Sequence, residues 1–319
     1  MISLRLSACT QIGSSASSGK RVMYMRTRGA LFTVLSAILF GITPAFAKWI
    51  YMDGVNASTL VFFRNLFAIV PLYVLCRWQR CSFRINVRQG IHLVLAAVIG
   101  QSVTAVMLYT SYQYIPIATA TTLHFFYPVF ITLICVILFR ERLTSVKLVA
   151  LIAATLGVAC FVDGGGKSSM TGFSLALASA LTFAYYMVTV EKSGLNRLHP
   201  FVITFYFAIL VSASLWIYNG VFDLFTMPGE WMTYGKMLLF SLLTSVAAMG
   251  LLQLGIRLLG AGDAAILCMF EPLTSFVSGT LFLHEEVSLL KVLGSVLILG
   301  AVTFMIVMNR RQARSRSQA

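Results

Sequence analysis

Ten apolar stretches fill nearly the whole chain, and the last five repeat the pattern of the first five. Each has about 20 residues at low charge, the length at which a helix spans ~30 Å of hydrocarbon. The first runs from about Ala30 to Ile50; the others begin near Val55, Ile91, Ile115, Thr144, Gly172, Phe201, Gly235, Gly262 and Ser288. A water-soluble domain could not hide such a chain in one core, because 59% of it is hydrophobic and only 11% charged. Mean hydropathy is +0.87. The expected fold class is therefore all-α: a polytopic membrane protein of ten transmembrane helices in two inverted five-helix repeats.

The repeat is visible residue by residue. An offset of 144 lays Ala120, Leu123, Phe126, Pro128, Glu141 and Lys147 on Ala264, Leu267, Phe270, Pro272, Glu285 and Lys291. A proline inside a span, an acid just past its end and a lysine six further on recur together, which chance matching of apolar letters does not produce. An offset of 143 lays Gly29, Ser36, Ala37 and Phe40 on Gly172, Ser179, Ala180 and Phe183. Five spans per half is an odd number, so the second copy must enter the membrane from the opposite side. Inverted halves permit alternating access around a site at their interface near the midplane.

The formal charge of +14 follows this topology. With the N-terminus inside, nineteen Lys and Arg fall in internal segments and four (Lys48, Lys167, Lys236, Lys291) outside, with Arg64 within a span. That bias is the positive-inside pattern and places both termini in the cytoplasm. The surplus is thus a topology signal and not a nucleic-acid footprint. The six cysteines lack metal-ligand spacing, and most lie in or beside apolar spans; no metal, cofactor or disulfide framework is expected. The chain divides into a flexible basic N-terminal tail (1–28), a first five-helix repeat (29–162), an extracytoplasmic linker (163–171), a second repeat (172–308) and a basic cytoplasmic tail (309–319).

The links closing each half read Phe139-Arg140-Glu141-Arg142-Leu143-Thr144 and Leu283-His284-Glu285-Glu286-Val287-Ser288. Thr144 and Ser288 stand where helix N-caps belong, and Glu141 and Glu285 can fold back to those amides or pair with Lys147 and Lys291. Gly157, Gly294 and Gly300 suit close helix packing. With Phe40-Gly41-Ile42-Thr43-Pro44 and Phe62-Phe63-Arg64-Asn65 in the first half, the chain resembles the EamA-type members of the drug/metabolite transporter superfamily over about residues 28–308. Arg140 and His284 stand where that family usually has glycine. The resemblance implies a permease for small metabolites or drugs, often an exporter, with a central cavity lined largely by spans one, three, four, six, eight and nine.

Polar residues within the spans are the candidate substrate and proton sites. Glu271 lies deep in the ninth span beside Pro272, where an ionised carboxylate costs several kcal/mol unless paired, hydrated or protonated. Pro128, Pro272 and Pro44 are expected to kink their helices. Across the repeat, Tyr127 matches Glu271, and His124 lies one turn earlier, so a His124–Glu271 proton pair is one expectation. Arg64 can bind an anion, pair with an acid such as Glu271, or snorkel. Gln101, Tyr109 and Tyr112 on the third span, Tyr185 and Tyr186 on the sixth and Gln253 on the eighth can orient a ligand among apolar walls. The terminal tryptophans fit interfacial belts.

No phosphate-binding loop appears, so a gradient and not ATP would supply the energy. The scattered His92, His124, His199 and His284 argue against an intramembrane enzyme. The expected function is a secondary permease of the inner or plasma membrane, exporting a small-molecule substrate, with protons the candidate coupling ion. Partners are the lipid bilayer and that substrate. A nucleotide-sugar carrier and a passive channel or sensor are the alternatives.

Overall fold

A computed structural model describes residues 14–115, 117–160, 169–283 and 288–318, and among these every regular element is helical. The elements are α1 (Ser14–Tyr51), α2 (Ala57–Trp78), α3 (Val87–Ala97), α4 (Thr104–Ser111), α5 (Ile117–His124), α6 (Tyr127–Ile137), α7 (Ser145–Ala159), α8 (Met170–Lys192), α9 (Pro200–Val221), α10 (Trp231–Ser241), α11 (Met249–Leu259), α12 (Ala261–Cys268), α13 (Glu271–Leu283) and α14 (Leu289–Gln318). Among the described residues, seven segments are long and apolar enough to cross a membrane: Tyr24–Tyr51, Ala57–Trp78, Val87–Ser111, Ala120–Ile137, Met170–Lys192, Pro200–Val221 and Trp231–Leu259. Ser145–Ala159 and Val292–Met308 are shorter apolar helices. The remaining apolar stretch is the interrupted pair α12 and α13.

The duplication reappears in the irregularities. A π-helical turn over Val98–Val103 joins α3 to α4, and another over Leu242–Ala248 joins α10 to α11, again 144 residues apart at their starts. The non-helical steps at Phe125–Phe126 and at Met269–Phe270 obey the same offset. Packing is likewise reciprocal: α1 lies on α11 and on α12 and α13, while its counterpart α8 lies on α4 and on α5 and α6. The second elements of the halves, α2 and α9, pack on each other, and so do the last, α7 and α14.

Local chemistry sets several helix ends. The Asn56 side chain accepts from Thr59 N at 2.8 Å to start α2. Thr144 Oγ1 accepts from Lys147 N at 3.3 Å to start α7, and Ser288 Oγ accepts from Leu290 N at 3.3 Å at the start of α14, as expected of N-caps. Within α1, Pro44 has no N–H for the Phe40 carbonyl, but Thr43 Oγ1 donates to that oxygen at 2.6 Å, and the helix continues unbroken. Close approach depends on glycine where α7 meets α14: a Cβ on Gly157 would lie 2.8 Å from Gly294 O. Gly300 has open space at its Cβ position, so the packing role expected of it is not observed.

Helix α1 begins at Ser14, within the segment expected as an N-terminal tail. One further expectation needs correction. Glu141 does not pair with Lys147; its carboxylate meets Lys192 at the end of α8, and Lys147 is taken by Asp263. Glu285, His284 and linker residues 163–168 lie outside the described residues, as does the side chain of Lys291.

Candidate functional site

The helix breaks define the site. Pro128 and Pro272 leave the carbonyls of His124 and Cys268 without their helical donors. Around each break the backbone tightens: Phe126 N donates to Leu123 O at 3.1 Å, and Phe270 N to Leu267 O at 3.2 Å. α6 and α12 pack against each other there, with the side chains of Tyr127 and Cys268 as neighbours. The two proline-bearing spans therefore meet directly at their breaks.

Glu271 opens α13 just beyond this crossing. α1 presses on it: Thr274 Oγ1 contacts Glu271 O at 2.9 Å and Ala37 O at 3.2 Å, while Ser278 Oγ donates to Gly41 O at 3.0 Å. A Cβ on Gly41 would sit 1.7 Å from Thr274 Oγ1 and 2.7 Å from Glu271 O; the glycine is what lets α1 reach the break. Arg64, Tyr112, Tyr127 and Cys268 lie within electrostatic reach of Glu271. No ion pair within 4.0 Å joins Glu271 to Arg64.

His124 has a different partner from the one expected. Its Nδ1 lies 2.9 Å from Ser179 Oγ, and that hydroxyl donates to Ala176 O at 2.6 Å. With the hydroxyl proton so committed, Nδ1 must be the donor, which fixes the neutral tautomer by assignment. The ring packs on Phe183 and Tyr127 at 5.4 and 5.7 Å between centroids. The direct His124–Glu271 pair is not formed.

Polar side chains from the third, sixth and eighth spans gather beside the crossing. Gln253 Nε2 donates to Tyr186 Oη at 2.5 Å, and Tyr186 Oη to Met249 Sδ at 3.3 Å. Gln101 also borders the Tyr186 hydroxyl. Tyr109 and Tyr112 stack edge-on at 5.7 Å. Tyr185 lies about 100° around α8 from Tyr186 and so faces away from this group. Tyr51, not singled out from sequence, stands within electrostatic reach of Tyr109 and Arg64.

The ends of the bundle are fastened by pairings that sequence reasoning missed. At one end, Lys147 meets Asp263 at 2.6 Å, and Lys192 pairs with Glu141 and with Glu191, the latter at 2.8 Å. Glu191 also accepts from Ala261 N at 2.6 Å, tying α8 to the tight turn at Gly260, whose φ of +87° favours glycine. At the other end, Lys236 and Thr233 donate to Asp53 Oδ2 at 2.8 and 2.7 Å. Asp53 lies between spans, and these hydrogen bonds hold its carboxyl below the usual carboxylate range. Nearby, Asn56 Nδ2 donates to Leu224 O at 2.6 Å, and Ser58 pairs with Asn219. The clue in the sequence was only that Asp263 and Lys147 are charges at the margins of apolar spans.

The family model described as the EamA-like transporter family matches residues 27–162 and 170–307, the two halves. The chain is 25% identical to the uncharacterized inner membrane transporter YicL of Salmonella typhimurium, over 90% of this chain and 98% of that protein. It is 29% identical to the uncharacterized transporter sll1319 of Synechocystis, but covers 62% of that protein's length. Human solute carrier family 35 member G1 is 24% identical over 81% of this chain and 73% of its own. A solved crystal structure, 16% identical, superposes with a TM-score of 0.72 over 93% of this chain and 99% of its own, a likeness of fold.

Proposed function

Since the chain belongs to the EamA-like transporter family and is a multi-pass membrane protein, we propose that it is a secondary carrier that exports a small metabolite or drug by alternating access. In this reading ten crossings form two inverted halves with both termini in the cytoplasm, an orientation supported by the distribution of Lys and Arg. The observation that carries the proposal is the meeting of the two broken spans at Tyr127 and Cys268, between two separately fastened ends of the bundle. Opening one end while the other stays fastened gives the central polar groups access to one side at a time.

Glu271 is the proposed coupling acid. It stands at the break, without an ion-pair partner among the described residues, and a permanent charge there is costly, so it takes up a proton in part of the cycle. Reconstitution into proteoliposomes tests both steps. A carrier gives saturable uptake and counterflow; uptake that rises linearly with concentration identifies a channel. Glu271→Gln is expected to abolish accumulation driven by a pH gradient while preserving counterflow, and a fully gradient-driven variant rules out the coupling role. The likeness to a solute carrier family 35 member supports a second reading, a nucleotide-sugar carrier, for which exchange of labelled nucleotide sugar is the test.

A further inference from the structure

Beside the crossing is a small cavity bordered by Arg64, Gln101, Phe40, Phe207, Thr204 and Thr244 among others. Its free space, about 10 Å³, is close to that of one water. Among the described residues, Arg64 Nε is a buried donor in this lining with no partner, and Gln101 Nε2 has none but the neighbouring Tyr186 hydroxyl. Among the described residues Arg64 makes no ion pair, and its own backbone carbonyl accepts from Ser241 Oγ at 2.5 Å. Of the neighbouring hydroxyls, Thr204 Oγ1 donates to Pro200 O and Thr244 Oγ1 to Phe240 O, while Ser245 Oγ is committed to no acceptor among the described residues. Asn65 Nδ2 is likewise committed, to Val61 O at 2.8 Å. A guanidinium and an amide, both short of acceptors at one wall, call for a ligand bearing acceptor oxygens.

Charge decides which acceptor. Arg64 is the one cation in this lining, and Glu271 acts on it from nearby with the opposite sign. A phosphate monoester, at about −1.5 to −2, would bring more negative charge than this wall can balance. A carboxylate brings one charge and two oxygens that match a guanidinium edge. The apolar rings of Phe40 and Phe207 border the same space, which in this conformation has room for about one water and admits an organic acid only on widening.

We propose that Arg64 and Gln101 form the carboxylate subsite of the transport site, so that the substrate is a small organic acid or zwitterion with a single free carboxylate. This rests on the carrier reading for its role in transport, though not for binding. The test is thermal unfolding of the purified full chain in detergent with matched probes: phenylalanine, butyrate and phenylacetate against their primary amides, with inorganic phosphate and UDP-glucose as rivals, at constant ionic strength. At least one carboxylate in tenfold excess over its Kd should raise the midpoint by about 3 °C while its amide does not. Arg64→Gln should remove that shift, and Gln101→Leu should weaken binding about tenfold, the loss of one hydrogen bond to a charged group. Should Arg64→Gln fail to fold, Gln101→Leu and Arg64→Lys carry the same comparison. Equal stabilisation of wild type and variants, stabilisation by phosphate or UDP-glucose instead, or no response to any carboxylate overturns the proposal. A carboxylate that binds through Arg64 but shows no counterflow leaves the subsite standing and defeats the carrier reading.

Discussion

Removing the charge of Asp263 should loosen one end of the bundle measurably. In Asp263→Asn, Lys147 loses an anion held at 2.6 Å; the aspartate side chain is 3% exposed and the lysine 29%. Fully buried pairs lose about 3–5 kcal/mol when one partner goes, and exposed pairs about 0.2–1 kcal/mol. With one partner buried and the other partly solvated, about 2 kcal/mol is the reasonable middle. At roughly 2–4 °C per kcal/mol for a chain of this scale, the melting midpoint should fall by about 5 °C. Thermal unfolding in detergent of the wild type, Asp263→Asn, Lys147→Met and the double variant measures it. Because most of the loss in each single variant reflects a stranded partner, the double variant should recover at least about 1 kcal/mol relative to the sum. Additive shifts, within about 0.5 kcal/mol, would refute the claim that this pair fastens α7 to α12.

Gly41→Ala should impair folding or transport, because its Cβ would fall 1.7 Å from Thr274 Oγ1; adding Thr274→Ala should rescue it only in part, since Glu271 O remains at 2.7 Å, and expression with counterflow in the two variants checks this. For the inverted topology, Arg142→Cys should react with impermeant thiol reagents only from the cytoplasmic side and Glu286→Cys only from the outside, and labelling of both from one side would exclude inversion. Asp53 has a folded-state pKa lowered chiefly by its hydrogen bonds to Lys236 and Thr233, so its contribution to stability is present above its unfolded value near pH 4 and is lost as pH falls through the folded value. A melting-midpoint profile across acid pH should therefore be flatter for Asp53→Asn than for the wild type.

What could be read from the sequence was whatever repeats or breaks a helix. Pro128 and Pro272 announce the interruptions because proline removes a donor wherever it stands in a helix, and Gly157 and Gly294 announce a close contact because only glycine permits it. The N-caps at Thr144 and Ser288 are local and were equally visible. The π turns at Val98–Val103 and Leu242–Ala248 carry no residue signature, since the wider turn is chosen by packing on neighbouring helices. Partner choice failed for a related reason. Glu141 was set against Lys147, its neighbour in sequence, whereas the partners are Lys192 for one and Asp263 for the other, and only the fold brings these together. His124 and Ser179 are the same kind of case, as are Arg64 and Gln101: their burial short of acceptors depends on what surrounds them, which no single helix records.

Among the described residues, the fastenings at the two ends are not copies of one another. A scaffold whose halves share π turns, breaks and packing would, left to its backbone, find it equally easy to part at either end. The described side chains differ between the ends: one carries two separate sets of ion pairs with five charged side chains, Glu141, Lys147, Glu191, Lys192 and Asp263, while the other shows the Asp53–Lys236 pair and neutral hydrogen bonds. Dissolved ions weaken the first kind of latch, where it is open to solvent, more than the second. On the carrier reading proposed above, the resting orientation would be a property of its side chains superimposed on an even-handed frame, and the salt on each side of the membrane would be a means of tilting it.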